Sequence, residues 1–515
     1  MYALPAVNKW WFPFDEGITL TCVEILSRGG NPYKDFVTPF GPAQLYILAF
    51  LFKVFGANIV AARLYILLIH AIVCTATFYG AYRLSGEKGI AYFIWLVGLS
   101  CFAPRMGPVA TSIWPAMGFS AISAVFFVFY IDRRSARDLV IAGLFAGLTF
   151  LSRFEFGLFV AASELVIILS SGPIRNARRA FLYAASFAIL PGVFLFYIFR
   201  VNAIGDFLNS AAIPYSSILR FGHSKFPPPC LDPRLIFYRS LFFITVNQHY
   251  IPVIAYAASI IAAVYLYARR KIEAEKLLIA IFLSLVGTLM FSYIYYGADA
   301  THTMPAIFPA LMLSGLVLKI GMKRDDVLGW YFRLFMKTAA TLLLLLLVLL
   351  TIKNTDKYIK NAFVKPLKRD IVLVDTGRGK IYVPKSEAED LRAILEFIKS
   401  NTVSDERIFI GFDSHKELLH GGEPILYFLS GRQPAARYFF MMPGVSNRSS
   451  TQEEIVSSLK DTKSVFLTSQ GKIMVDMPCA GVEISGILDN YIRDSYLCIG
   501  TAGKYSIYRR KLTRP

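Results

Sequence analysis

The chain has 515 residues, of which 55% are hydrophobic and only 17% are charged. A soluble domain of this length needs far fewer apolar residues for its core, so the composition indicates an integral membrane protein. The net charge of +19 does not indicate a nucleic-acid-binding protein. The lysines and arginines occur in short clusters between apolar runs, and this pattern is typical of membrane topology.

The first acids of the chain are a pair, Asp15 and Glu16, directly after an aromatic cluster within residues 10–14. Aromatic side chains favour the headgroup level of a bilayer. We therefore expect both carboxylates at the membrane edge, where a lipid-bound substrate presents its head. An alternative for Asp15 is a helix cap, because its side chain suits a helix that starts at Gly17.

A turn rich in Gly and Pro, containing Tyr33 and Asp35, precedes an apolar segment at 41–55. The segment has helical periodicity but is short for a membrane span. Counting it as a span would invert the side of every later loop, so we predict an interfacial helix on the outer surface. Arg63 then opens the first span at the outer boundary, beside the acids, and residues 1–59 form an outer region with interfacial helices.

Apolar length predicts ten membrane spans within 60–351. The loops after the odd-numbered spans hold seventeen lysines and arginines, whereas the short loops on the other side hold only Arg105 and Arg153. The positive-inside rule places the seventeen cations in the cytoplasm and the N-terminal acids outside. The predicted spans are 60–82, 89–104, 109–130, 139–152, 156–171, 180–199, 250–268, 277–296, 305–319 and 334–351.

Ten spans put both ends of the chain on the outer face of the membrane. Residues 1–14 are too short to cross a bilayer and lack the apolar core of a signal peptide. We therefore expect that the natural chain, or its relatives, carries one more helix before Asp15.

The fourth and fifth spans are short, with fourteen and sixteen residues. They rise only roughly 21 to 24 Å, less than the ~30 Å hydrocarbon core. Arg153 and Glu155 between them should therefore lie below the outer surface, where charges need a hydrated or protein-lined cavity. The alternative is one long tilted helix in which Arg153 and Glu155 pair with each other.

Two further outer segments carry polar groups. The long connection at 200–249 is predicted to be a lid or an acceptor-binding wall, with disorder as the alternative. Asp299 and His302 stand three residues apart on one helical face. We expect this pair to contact a ligand, and the alternative is a structural turn pair.

The composition changes after residue 351. Turn signals, an amphipathic helix pattern and strand-like runs predict a small α/β domain at 352–515, outside the membrane. A Gly-rich loop near His415 contains further acids and a second histidine, but their spacing matches no metal-ligand motif. We therefore predict that this segment is a solvated loop and not a metal site. The strand-like runs are 407–412, 464–469, 496–500 and 504–510.

Short motifs follow one another in a fixed order through the first 160 residues. They are Asp15-Glu16, Gly30-x-Pro32-Tyr33-x-Asp35, Pro39-x-x-Pro42, Phe55-Gly56, Ala62-Arg63 and Ala142-Gly143-Leu144-x-x-Gly147-Leu148-x-x-x-Ser152-Arg153-x-Glu155-x-Gly157. In this order they resemble the polytopic glycosyltransferases of the GT-C class, and more narrowly the relatives of protein mannosyltransferases and aminoarabinose transferases. The resemblance covers nearly the whole chain and implies a mainly α fold, a polytopic transmembrane bundle with a soluble tail.

The resemblance implies a multi-pass enzyme of the cell membrane that transfers a sugar from a polyprenyl-phosphate-linked donor at the outer face. The acceptor, whether lipid, glycan or protein, stays open. In the family, the acid after the first helix is the catalytic base or positions the acceptor, and this role maps onto Asp15, with Glu16 beside it. The substrate-binding candidates are Tyr33, Asp35, Arg63, Arg105, Arg153, Glu155, Asp299 and His302.

Two features depart from the family pattern. The first helix is missing, and the Lys-Pro-Pro motif of the aminoarabinose branch is replaced near Thr38-Pro39. The identity of the cation that holds the donor phosphate therefore stays open. The candidates are Lys34, Arg63, Arg105 and Arg153. No cofactor is implied, and a need for a divalent metal stays open.

The residue chemistry agrees with such a reaction. Inverting displacement at an anomeric carbon needs a base for the acceptor proton and cations for the leaving phosphate, in a partly dry site. The rival is a transporter or flippase of lipid-linked sugars, which predicts internal repeats and broken spans in matching halves. A membrane-anchored binding module is a third possibility, but it leaves the outer acids unexplained.

Overall fold

The computed structural model describes residues 4–105, 107–170, 173–221, 226–232, 234–295, 299–322, 329–415, 419–442, 445–470, 472–474 and 485–511. Helices make up most of this part of the chain, and a small sheet domain follows them. The N-terminal region holds a short 3₁₀ helix (Leu4–Ala6), α1 (Asp15–Ser27) and α2 (Ala43–Phe55).

The helices of the bundle follow in two groups. The first comprises α3 (Ile59–Ser85), α4 (Lys88–Arg105), α5 (Ile113–Arg133), α6 (Ala136–Ser152), α7 (Phe154–Ser170) and α8 (Pro173–Arg200). The second comprises α9 (Ile204–Phe221), α10 (Arg234–Tyr238), α11 (Ser240–Asn247), α12 (Tyr250–Ala268), α13 (Ala274–Phe291) with a 3₁₀ turn at Ser292–Tyr295, α14 (Ala300–Met322) and α15 (Trp330–Ile359). A π-helical turn (Lys360–Val364) and α16 (Lys365–Leu367) extend α15.

Each of the ten predicted spans coincides with a helix. Among the described residues, seven helices are long and apolar enough to cross a bilayer, namely α3, α5, α8 and α12–α15. The protein is therefore a multi-pass membrane protein, but the number ten stays a prediction. The helix α15 continues to Ile359, beyond the predicted end of the last span at residue 351.

Small residues let the bundle helices approach closely, as is common in membranes. A Cβ atom on Gly315 of α14 would lie 2.7 Å from the Ala81 carbonyl oxygen of α3. Likewise, one on Gly143 of α6 would lie 2.9 Å from the Tyr183 carbonyl oxygen of α8. Larger side chains at these positions would force the helices apart.

The chain breaks between α6 and α7 at Arg153, which has an extended backbone (φ −145°, ψ 117°). The alternative of one long helix is therefore wrong. The two helices instead pack against each other, and Gly157 lies directly on Phe150. The Arg153–Glu155 pairing that this alternative supposed does form, at the turn between the helices.

The predicted interfacial segment forms α2. It buries Leu45, Leu48 and Phe52 and leaves Phe50 and Phe55 exposed. An apolar exposed face on a helix of 13 residues suits a position at the membrane surface. Within the long connection 200–249, the described residues form α9, α10 and α11, so this part of the connection is helical.

The tail forms the predicted α/β domain. Its central sheet has the strand order β5 (Gln433–Pro434), β3 (Arg407–Phe412), β6 (Ser464–Thr468), β9 (Tyr505–Arg510) and β8 (Tyr496–Ala502). The strands β5, β3 and β6 are parallel, and β9 is antiparallel to both of its neighbours, β6 and β8. Four predicted strands correspond to β3, β6, β8 and β9. The strands and helices are β1 (Ile371–Asp375), β2 (Lys380–Pro384), α17 (Lys385–Asn401), β3 (Arg407–Phe412), β4 (Leu419–Gly421), α18 (Ile425–Ser430), β5 (Gln433–Pro434), α19 (Ser449–Leu459), β6 (Ser464–Thr468), β7 (Lys472–Met474), α20 (Ile487–Ser495), β8 (Tyr496–Ala502) and β9 (Tyr505–Arg510).

The tail domain docks on α1. The backbone of α18 lies against Gly17 so closely that a Cβ atom there would be 2.2 Å from the Ile425 nitrogen. Glu24 of α1 accepts two hydrogen bonds from Arg378 (2.7 and 3.0 Å) and two from Arg28 (3.0 and 2.7 Å). The helix that begins at Asp15 is thus held between the tail and the membrane bundle.

Candidate active site

Glu16 and Arg63 form a buried ion pair, with exposed fractions of 1% and 0%. The Arg63 guanidinium donates from Nε to Glu16 Oε1 (2.9 Å) and from Nη2 to Oε2 (2.5 Å). It also donates to the carbonyl oxygens of Val7 (3.1 Å) and Trp10 (2.8 Å), and Glu16 accepts from the Ala110 backbone N–H (3.3 Å). The pair therefore fastens the N-terminal segment to α3.

Asp15 lies one residue earlier and is exposed. It occupies the first turn of α1, where a carboxylate is favoured by the helix dipole. The proposed capping role is wrong, because the helix starts at Asp15 itself, and Phe14 occupies the cap position without a side-chain hydrogen bond. Neighbouring acids thus point to different places, Glu16 into the protein and Asp15 out of it.

Arg153 lies in an aromatic cage at the break between α6 and α7, and it is 5% exposed. Its guanidinium carbon is 4.7 Å from the ring centroid of Phe40, 4.7 Å from that of Tyr293 and 5.3 Å from that of Phe156. The Nε atom donates to Glu155 (2.8 Å). Aromatic faces stabilise a cation in a desolvated place, which is what a charge near membrane depth requires.

Tyr293 connects the separate polar groups. Its hydroxyl experiences the charges of Arg153, Glu155, Asp15 and Asp299. The Tyr293 ring thus contacts Arg153 of the α6–α7 turn (4.7 Å) and His302 at the start of α14 (4.8 Å), and the Asp15 carboxylate of α1 acts on its hydroxyl electrostatically.

Asp299 and His302 complete this arrangement. The Nδ1 atom of His302 lies 2.9 Å from Asp299 Oδ2, and the His302 ring centroid lies 4.8 Å from that of Tyr293. Asp299 also accepts the backbone N–H groups of Thr301 (2.6 Å) and His302 (3.0 Å). Burial raises the pKa of Asp299, but the hydrogen bonds and charge of His302 and the two N–H groups outweigh it, so the pKa lies below its ordinary value.

Asp299 therefore makes the contacts expected of a residue in a structural turn, since it accepts hydrogen bonds from the first backbone N–H groups of α14. The same contacts fix the ring of His302 beside Tyr293. The two interpretations of the Asp299–His302 pair are thus compatible in this geometry.

Tyr33 and Asp35 stabilise the turn segment that leads to Phe40 of the cage. Tyr33 is fully buried and donates its hydroxyl to the Phe40 carbonyl oxygen (2.8 Å), while the Phe40 ring covers Arg153. Asp35 accepts the backbone N–H (2.6 Å) and side-chain amide (3.0 Å) of Asn31, which closes the turn. Both residues shape the segment that carries Phe40.

The remaining phosphate-binding candidates differ in position. Lys34 donates to the Val201 carbonyl oxygen (3.2 Å) at the end of α8. Arg63 is used by the buried pair, and the side chain of Arg105 lies outside the described residues. Among the described residues, no group of three or more His, Cys, Asp and Glu side chains is placed to hold a metal ion.

The comparisons with known proteins agree with this architecture. The model of the dolichyl-phosphate-mannose-protein mannosyltransferase family matches residues 38–198. The crystal structure of ArnT from Cupriavidus metallidurans bound to undecaprenyl phosphate superimposes with a TM-score of 0.57 at 12% identity, over 99% of this chain and 96% of that one. The chain has a GT-C glycosyltransferase fold. The resemblance seen in the sequence is therefore confirmed.

Two other solved structures are also similar to this chain. The apo structure of the same ArnT matches the GT-C fold of this chain with a TM-score of 0.55 and 13% identity, over 98% of this chain and 95% of that one. An Archaeoglobus fulgidus oligosaccharyltransferase complexed with zinc and sulfate gives a TM-score of 0.47 and 13% identity, over 91% and 67% of the chains. No curated protein matches the sequence.

The aromatic cage of this GT-C fold is the part of the candidate site that sequence reasoning missed. Phe40, Phe156 and Tyr293 come from three distant segments and occur among 43 phenylalanines and 28 tyrosines. One signal was available, since Tyr293 follows the apolar run of α13 and precedes Asp299 by six residues. Aromatic residues at the end of a span mark the membrane interface. This signal does not show that Tyr293 contacts Arg153.

Proposed function

We propose that the protein is a membrane glycosyltransferase. It moves a sugar from a polyprenyl-phosphate-linked donor to an acceptor at the outer face of the cytoplasmic membrane. The observation that carries the proposal is the caged Arg153 in contact with Tyr293, within electrostatic reach of the exposed Asp15, in a chain with the fold of a protein solved with bound undecaprenyl phosphate. The grouping supplies a base and a cation at one place.

Asp15 acts as the base in the proposed reaction. Its carboxylate takes the proton of the acceptor hydroxyl, whose oxygen forms a bond to the anomeric carbon of the sugar. The bond between that carbon and the phosphate oxygen breaks, and its electron pair leaves on the polyprenyl phosphate. General base catalysis of this kind contributes typically ~10² to 10⁴-fold.

Arg153 stabilises the negative charge on the leaving phosphate. An arginine suits this task because its planar guanidinium can donate to a phosphate from one edge while its faces stay stacked on aromatic rings. Glu155 accepts a hydrogen bond from Nε of Arg153. This contact fixes the direction in which the other N–H groups of the Arg153 guanidinium point. His302, whose ring centroid lies 4.8 Å from that of Tyr293, and its partner Asp299 contact the substrate beside this ring.

Glu16 and Arg63 hold Asp15 in place in this proposal. Their buried contacts are to each other and to the backbone, so the pair positions the start of α1. Of the two acids in the candidate catalytic pair, Asp15 is the one that reaches the reacting atoms.

The sidedness is also part of the proposal. The cation-rich loops meet at one end of the bundle, where Arg83 pairs with Asp132 (2.7 Å) and Lys319 contacts the Ser85 carbonyl oxygen. The tail docks at the opposite end, on α1 and on the first residue of α3, where Ile59 N–H donates to the Arg378 carbonyl oxygen (3.0 Å). The positive-inside rule puts the first end in the cytoplasm and the tail domain outside.

Membranes that contain the full-length protein test the proposal. They are incubated with a panel of polyprenyl-phosphate sugars, and new glycans are sought by mass spectrometry. We expect a covalent product with the wild-type protein and its loss with Asp15→Asn, at equal amounts of inserted protein. The matched control is Asp461→Asn, an exposed acid of the tail, which should leave the product unchanged.

Two results would overturn the proposal. Full activity of Asp15→Asn would show that Asp15 is not the catalytic base. Movement of labelled lipid-linked sugar across the membrane without a covalent product would favour a flippase or transporter instead.

A further inference from the structure

A cavity lies at the interface between the tail domain and α1, and we call it the interface cavity. Its volume is about 440 Å³, which is in the range that binds small molecules. Its described lining comes from the end of α1, the β1–β2 turn, the end of α17 with the loop after it, and the end of α18. The lining residues that carry charge are Arg28, Arg378, Lys399, Asp405 and Arg432.

The interface cavity is separate from the candidate active site. Arg28 directly follows α1, whereas Asp15 is the first residue of this helix. The 13 residues of α1 rise about 20 Å. None of the residues around Tyr293 is among the described lining of the cavity, so any ligand there is bound by other groups.

Three guanidinium groups come close together at this cavity. Nη2 of Arg28 donates to the Gly431 carbonyl oxygen (2.9 Å), and a Cβ atom on Gly431 would lie 3.2 Å from Nη2 of Arg378. Arg432 is the next residue. Burial lowers the pKa of Arg432, and the positive charges of Arg28 and Arg378 lower it further. The three like charges therefore repel one another.

Lys399 brings a fourth cation from α17. Its Nζ atom donates to the Thr376 carbonyl oxygen (3.1 Å), and a Cβ atom on Gly377 would lie 3.3 Å from it. An ammonium group has three N–H donors. With one of them on the β1–β2 turn, the other two can donate to a ligand in the cavity.

The charge around the interface cavity is unbalanced. Four cations face two carboxylates, because Glu24 is shared between two of the arginines and Asp405 lies exposed at the rim. Glu406 also acts on Arg432, but it has its own cation in Arg509 (3.6 Å). The described groups therefore leave an excess of two positive charges.

We propose that the interface cavity binds the phosphomonoester group of a small soluble molecule. A phosphomonoester carries a charge of about −1.5 to −2 at neutral pH, which matches the excess, whereas a phosphodiester or a carboxylate carries a single charge. Guanidinium groups donate to phosphate oxygens from two N–H groups at once, and the lysine adds a point charge. The proposal uses no residue of the proposed transfer reaction and does not depend on it.

The packing of α2 indicates that the ligand comes from solution and not from the bilayer. The guanidinium carbon of Arg378 lies 4.9 Å from the Phe428 ring centroid, and this ring stacks on Phe52 of α2 (5.7 Å). Phe50 and Val54, two positions on either side of Phe52, are exposed and lie on roughly the opposite face of the helix. A bilayer that contacts this exposed face has α2 between itself and the cavity.

The test is titration calorimetry on the purified full-length protein at constant ionic strength, because salt screens such contacts. The probes are inorganic phosphate, glycerol 3-phosphate and the diester dimethyl phosphate. We expect the first two to bind and to compete with each other. The diester should bind about tenfold more weakly or less, since it lacks one charged hydrogen-bonding oxygen.

Two variants should change the affinity in opposite directions. Lys399→Gln should weaken the binding of glycerol 3-phosphate by about tenfold or more, as for the loss of a charged hydrogen bond. Asp405→Asn removes an exposed acid at the rim and should tighten it by about twofold to fivefold, which a poorly folded protein would not do. The control Lys460→Gln removes an exposed lysine elsewhere in the tail and should change nothing.

The proposal fails if glycerol 3-phosphate does not bind, if the diester binds equally well, or if Lys399→Gln keeps the wild-type affinity. Binding that is lost in Arg153→Gln and retained in Lys399→Gln would place the anion at the candidate active site instead. Bilayers that contain phosphatidic acid are the last arm. Calorimetric binding of this lipid without binding of glycerol 3-phosphate would show that the soluble source is wrong.

Discussion

The Glu16 carboxylate and the Arg63 guanidinium face each other in a bidentate, fully buried contact that joins α1 to α3. Each group would be costly to bury alone, and together with three backbone partners they satisfy most of their hydrogen-bonding capacity. The contact therefore sets where α1 starts, and with it the position of the exposed neighbour Asp15.

The first prediction concerns this ion pair. Glu16→Gln or Arg63→Met leaves one buried charge without its partner, and we expect a loss of about 3 to 5 kcal/mol of stability. The measurement is unfolding of the purified protein in detergent. For comparison, Arg83→Gln breaks the half-buried Arg83–Asp132 pair and should cost only about 1 kcal/mol or less. Equal losses at the two sites would contradict a special role of the buried pair.

The second prediction separates positioning from catalysis at the same pair. The double variant Glu16→Gln/Arg63→Met removes both charges, so it should be destabilised by less than the sum of the two single variants. Its kcat should fall because α1 is less well placed, while Asp15→Asn should lose kcat without loss of stability. A double variant that is fully additive in stability would show that the two side chains do not interact.

The third prediction concerns Arg153. Arg153→Gln removes the cation that we propose to stabilise the leaving phosphate, and we expect kcat to fall by roughly 10² to 10³-fold, as for the loss of other transition-state donors. Arg153→Lys keeps the charge but not the planar group that stacks in the cage, so it should restore only part of the activity. The matched control is Arg234→Gln, which breaks an exposed surface pair with Asp232. Full activity of Arg153→Gln would exclude the assignment.

The fourth prediction concerns the pH dependence of tail docking through Glu24. Burial raises the pKa of Glu24, but the hydrogen bonds and charges of Arg378 and Arg28 outweigh it and lower the pKa below its ordinary value of 4.5. A lowered pKa in the folded protein means stability that is present above 4.5 and lost as the pH falls through the folded-state value.

This pH dependence can be measured as the unfolding midpoint over a series of acidic buffers. The wild-type protein should lose stability on acidification, and Glu24→Gln should be less stable at neutral pH with a flatter acidic profile. Identical acidic profiles for the two proteins would show that Glu24 does not carry the effect.

Several features of the fold could be predicted because they depend on local sequence. The strands β3 and β6 were visible as short apolar runs between turn signals, and the helices of the bundle as long apolar stretches. A break at Arg153 was predicted with one long tilted helix as the alternative, and the length of the two flanking spans, fourteen and sixteen residues, predicted that the connecting turn lies below the membrane surface.

Other features needed the folded chain. The aromatic cage around Arg153 joins residues more than 100 positions apart, and no local period connects Phe40 with Tyr293. The docking of α18 on Gly17 also joins two segments that lie far apart in the sequence. Such contacts depend on how helices cross, which apolar length does not specify.

The sequence by itself determined that this is a multi-pass membrane protein and that acids and arginines stand beside the ends of its apolar runs, since both follow from residue order and transfer of side chains between water and lipid. Only the tertiary structure decided that Glu16 is the acid buried against Arg63 and that Asp15 is the exposed one. Adjacent residues of a helix point roughly 100° apart, so Asp15 and Glu16 cannot face the same partner. The interior side of α1 is fixed by Arg63 and Ala110, which reach it from distant parts of the chain.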